Sequence, residues 1–114
     1  MAIAKNQKDY QSFDTSYKVQ IINGLAERIY TVIVHRFKIG DVEDPVLYAA
    51  QPLYDFEKSE KGRWIMAHAI EQPIWHKQED LMTMTYNFAI SAKLRGRDHT
   101  FYQLKWGSGE KTIL

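Results

Sequence analysis

Cysteine is missing altogether from this 114-residue chain. That removes disulfide cross-links, thiolate nucleophiles and cysteine-bound zinc or iron–sulfur clusters, and it fits a reducing compartment. Long apolar runs are missing too. No stretch approaches the roughly 18 residues of a membrane span, and the opening MAIAKNQKDYQSFDTSYK lacks the apolar core of a secretory signal. The expectation is a soluble, cytoplasmic protein with no membrane contact. An excess of charge is also lacking: 15 Lys and Arg against 14 Asp and Glu leave a formal +1. Any pull on nucleic acid or anionic lipid must therefore come from a local patch. With six glycines and three prolines, the chain has no Gly-rich phosphate loop, nucleophile elbow or HExxH helix. Its four histidines, His35, His68, His76 and His99, include no HxH or HxxxH pair, so neither metal nor cofactor is expected.

What is present is ordinary globular material, 45% hydrophobic and 13% aromatic, enough for one core. Residues 1–16 are polar and aperiodic and read as a loosely ordered arm. Residues 17–107 carry all the periodic segments and read as a single domain, and 108–114 read as a flexible tail. YKVQIINGLAERIYTVIVHRFKIG contains Asn23-Gly24, two residues that tolerate the positive φ that a two-residue hairpin turn demands at both positions. The following arm is β-branched on both faces, with Ile29, Ile33 and Phe37 on one and Val32 and Val34 on the other, as in a central strand. Asp44-Pro45 is a helix opening. Pro52 is expected to begin the main helix, with Leu53, Phe56, Glu60, Trp64 and Ala67 on one stripe and Gly62 as its weak point. Pro73–Gln78 suits a short edge strand. Met82 to Leu94 alternates apolar and polar residues strictly and is the clearest strand in the chain. Thr100, Tyr102, Leu104 and Trp106 repeat that period and suggest an antiparallel partner, with a helix from Asp98 as the alternative. The order predicts an α+β fold, a mostly antiparallel sheet of four to five strands with a helix on one face. A ferredoxin-like plait and a small bent barrel are both compatible.

Three groups of residues invite a chemical reading. Asp41, Glu43 and Asp44 form a fragment of a calcium-loop pattern without its glycine and closing glutamate, and capping and turn roles account for them. Lys93, Arg95, Arg97 and Lys105, with Tyr102 and Trp106, set four cations against Asp98 alone. A cationic, aromatic-edged sheet face of that kind suits single-stranded nucleic acid. Glu60 interrupts an apolar stripe beside Trp64. With His35 and Tyr86 it suggests a pocket between helix and sheet that could serve a small ligand or an enzyme.

GDVEDPVLYAAQPLYDFEKSEKGRWIMAHA, with the closing FYQLKWG, resembles small uncharacterised proteins of marine tailed phages, the myoviruses of cyanobacteria among them. The resemblance covers residues 30–106. It implies a phage-type accessory or virion protein made in bacterial cytoplasm, and it implies no activity, cofactor or catalytic residue. The aromatic load and the lack of any catalytic constellation favour a non-enzymatic interaction module. Its partners would be a second copy of itself or a phage or host protein, with nucleic-acid binding and a ligand pocket as the competing readings.

Overall fold

The computed structural model describes residues 3–5 and 17–107. The expected tail 108–114, and the expected N-terminal arm apart from 3–5, lie outside them. Residues 3–5 depart from a loose arm. β1 (Ala4–Lys5) pairs in parallel with Ile74 and Trp75, and Ile3 is buried in the core.

A hairpin opens the domain, β2 (Tyr17–Ile22) and β3 (Leu25–Ile39) meeting at Asn23-Gly24 with φ of 53° and 80°. Two positive φ values in succession make the type I′ turn whose twist matches that of the flanking strands. β3 leads into α1 (Pro45–Lys58) and α2 (Glu60–His68), then β4 (Ile74–Asp80), β5 (Thr85–Arg95) and α3 (Gly96–Trp106). The sheet runs β1-β4-β5-β3-β2 and is antiparallel except at the β1–β4 contact. β3 and β4 therefore run the same way with β5 inserted between them, a split β-α-β unit that is half of a ferredoxin-like plait. The sheet curls around its helical layer, and the class is α+β.

One face of the sheet, with Trp75, Phe88, Ile90, Ala92 and Leu94, packs in a cluster with Ala49, Leu53 and Phe56 of α1, Ile65 of α2 and Tyr102 of α3. On the opposite face Ile29, Ile33, His76 and Ser91 are buried. β3 does not keep one phase along its length. Ile33 pairs with Ser91 but His35 pairs with Ile90, so Val34 is an extra residue. Such a bulge moves everything beyond it to the other face. Phe37, expected beside Ile29 and Ile33, instead joins Val32 and Val34 on the helix side, where its ring stacks on Phe88 at 5.0 Å.

Three helical expectations are corrected. The first helix begins at Pro45, where Asp44 Oδ1 accepts from Leu47 N at 3.2 Å, and it runs through Pro52 without stopping. Proline gives no N–H to the carbonyl of Tyr48, but that turn lies toward solvent, where Tyr48 is exposed. The break falls at Ser59, not Gly62. Ser59 Oγ donates to Phe56 O at 2.6 Å and accepts from Gly62 N at 3.0 Å, closing one helix and opening the next. Residues 98–106 form a helix because β3 and β4 occupy both edges of β5 and leave no place for a further antiparallel strand.

Candidate interaction surface

β5 ends at Arg95, opposite Ile29. Beyond that point Leu25–Arg28 of β3 and their partners Val19–Ile22 of β2 have no third strand among the described residues. They continue as a two-stranded ribbon, an arm of four residue pairs or roughly 13 Å at the usual strand rise. The arm is apolar. Val19, Ile21 and Leu25 are 63%, 66% and 67% exposed, where a ribbon in water ordinarily carries charge. Tyr17, Val19 and Ile21 alternate along β2 and so form one stripe, on the face that carries the helices. At its foot the Tyr17 ring lies 5.6 Å from Tyr30 and holds the Arg28 guanidinium 4.7 Å above it. The other face of the arm shows Lys18, Gln20, Ile22 and Leu25.

Among the described residues β2 is the last strand on its side of the sheet. In the hairpin turn Ile22 O faces Leu25 N, and strand alternation then directs the main-chain groups of Ile22, Gln20 and Lys18 toward β3. Those of Tyr17, Val19 and Ile21 point away from the sheet.

Under the arm lies a cleft of about 520 Å³, reached by Gln20, Ile21 and Ile22 on one side and by Ala67–Ile70, Arg95, Arg97 and Asp98 on the other. Its basic side chains are engaged. Arg95 lies 3.9 Å from Glu27 and Arg97 lies 3.8 Å from Asp98. His68 stacks on Trp64 at 4.3 Å with its Nδ1 2.9 Å from Trp64 O.

The residues proposed for nucleic acid do not share a surface. Lys93 and Arg95 project from the non-helical face of β5, pairing with Glu71 and Glu27, whereas Arg97 and Lys105 belong to α3 and pair with Asp98 and Glu60. Tyr102 is buried in the core, and Trp106 packs on Trp64 and Tyr102. The expectation of one face rested on a strand at 98–106, and the helix there turns Tyr102 and Trp106 toward the core. Nor do the four pocket residues meet. Glu60 is exposed and bonds Lys105 Nζ at 2.8 Å, which holds its carboxyl below the usual range. Trp64 stacks against Phe101 of α3, and His35 lies against Phe56 of α1 at 5.0 Å. Tyr86 sits near the far end of β5, between Ile39 and Glu79. The restart of the helix at Ser59 turned Glu60 out of the stripe.

One buried polar pair carries no local motif in the sequence. His76 Nε2 lies 2.8 Å from Ser91 Oγ, both residues buried on the non-helical face, and burial lowers the imidazole pKa. No group of three or more His, Cys, Asp or Glu converges as metal ligands among the described residues. No helix there is long and apolar enough to cross a membrane. Compared with protein-family models, curated proteins and solved structures, the chain matches none.

Proposed function

We propose that this protein is a non-enzymatic interaction module, of the phage accessory or virion kind its sequence resembles, acting in the host cytoplasm or the virion. The observation that carries the reading is the apolar arm. Tyr17, Val19 and Ile21 offer three side chains and three outward main-chain positions on one edge strand. Natural sheets protect such an edge with proline, charge, a bulge or a covering element. The one charge on β2, Lys18, belongs to the opposite face, and the only charge that β3 sets beside the stripe within the arm is Arg28, drawn over Tyr17 at its foot. Recognition by strand addition draws affinity from main-chain hydrogen bonds and specificity from the alternate side chains, and β2 supplies both.

The test replaces two stripe residues. Val19→Lys with Ile21→Lys keeps the hairpin turn and the core intact, so far-UV circular dichroism is unchanged, while association with itself or with another chain is lost in light scattering and in binding assays. A double variant that associates as the wild type does overturns the reading.

A further inference from the structure

We infer that the occupant of the β2 edge is a second copy of the same chain, added antiparallel about a two-fold axis through Val19. This rests on the interaction-module reading and names its partner. The register follows from direction, hydrogen bonding and charge. Among the described residues of β2 only Tyr17, Val19 and Ile21 offer outward main-chain groups, so in a two-fold pair each of these must oppose another of the three. Centring the axis between two residues sets Tyr17 against Ile22, whose main-chain groups are already given to β3. Centring it on Lys18 sets Lys18 against itself, and like charges directly opposite are destabilising. Centring it on Gln20 carries Tyr17 past the end of the partner strand, opposite Asn23 of the turn.

The axis through Val19 avoids all three faults. It places Val19 opposite Val19, Tyr17 opposite Ile21 and Lys18 opposite Gln20. Each outward residue is then paired, giving about six main-chain hydrogen bonds. The two apolar stripes join into one, on one face of a sheet running through both copies. The formal charge of +1 per chain adds little repulsion between copies. Such an interface is isologous and closed, so it ends at a dimer rather than growing into a filament.

The chain has no cysteine, so a single introduced thiol reports the register without interference. Opposed residues of a hydrogen-bonded antiparallel pair have Cα atoms about 5.5 Å apart, inside the range a disulfide spans. Wild-type protein is expected at twice 13.4 kDa in light scattering at high concentration. Under mild oxidation Val19→Cys is expected to cross-link at least tenfold faster than Gln103→Cys on the exposed face of α3. Lys18→Cys and Gln20→Cys are expected to cross-link when mixed and not singly. The inference is overturned if Val19→Cys cross-links no faster than Gln103→Cys, or if Lys18→Cys links to itself as readily. A wild type that stays at 13.4 kDa while binding another chain, with the binding lost in Val19→Lys/Ile21→Lys, overturns the second copy and leaves the module reading standing. If the arm substitutions alter no association at all, both fall.

Discussion

Gly62 lies in the first turn of α2, and a Cβ built there would come 1.7 Å from Phe56 O. That carbonyl also accepts from Ser59 N at 3.1 Å and from Ser59 Oγ at 2.6 Å, so it is held where it stands. By helix propensity alone Gly62→Ala is stabilising, by about 1 kcal/mol. Sterics reverse the sign, and the substitution is expected to lower unfolding stability by on the order of 1–3 kcal/mol, read as a lower urea midpoint. A midpoint that rises would show the break at Ser59 to be pliable. His76 makes a second prediction. Burial holds its pKa below the ordinary value near 6.5, and His99, stacked on Tyr30 at 4.0 Å, is lowered for the same reason. The unfolded chain therefore takes up protons first, and stability present above about pH 6.5 is lost as pH falls below it. The urea midpoint is expected to hold steady from pH 8 to 7 and decline toward pH 5, with His76→Gln removing part of the decline and His76→Gln/His99→Gln more of it. Stability that rises on acidification over that range contradicts the assignment. Glu60 and Asp80, both lowered, act only below the carboxylate range. Neither glycine nor histidine was legible from its neighbours in sequence. Gly62 is read correctly only once the helix is seen to break at Ser59, and His76 meets Ser91 through strand register, 15 residues away.

At the level of elements, the features written in local chemistry were legible. Asn23-Gly24 turns the hairpin and Asp44-Pro45 opens the helix because each acts within a few residues of itself. The strand ending at Leu94 was legible from its alternation, although it starts at Thr85 and not Met82. Met82 and Met84 alternate correctly but belong to a turn, where Asp80 Oδ1 accepts from Met82 N at 3.0 Å. What was not legible depends on other elements. The bulge at Val34 is a mismatch between two strands, and the helical state of 98–106 follows from β5 having both edges filled. The split of the main helix rests on Ser59, which caps in both directions. Ser59→Ala is expected to cost about 1–2 kcal/mol, and Ser59→Asp, which keeps an acceptor for Gly62 N, to recover part of that loss in the same urea titration. Equal losses in both variants would mean that the cap bond does not hold the break.

At the scale of the molecule, the fifteen residues of β3 set the long dimension, which is 47 Å against 26 and 25 Å across. A core of this length covers β3 only from about Ile29 onward, where β5 and the helices begin. The remainder is the arm. The fold class was legible because hydrophobic periodicity reports which residues face a core. The arm was not, since Val19, Ile21 and Leu25 read as ordinary strand residues until the neighbouring strand is seen to stop short of them. The expected cationic face and helix–sheet pocket failed for a related reason: both joined residues close in sequence or in phase that the topology directs to different sides.

Amide hydrogen exchange along β2, measured over a range of protein concentrations, tests the edge pairing most directly. Lys18, Gln20 and Ile22 donate toward β3, so their amides are expected to be protected at every concentration. Tyr17, Val19 and Ile21 donate outward, and their amides are expected to pass from unprotected when dilute to protected when concentrated, Val19 most strongly. If Val19 and Ile21 exchange at unprotected rates at the highest concentration while Lys18, Gln20 and Ile22 remain protected, the β2 edge stands open and the account is contradicted.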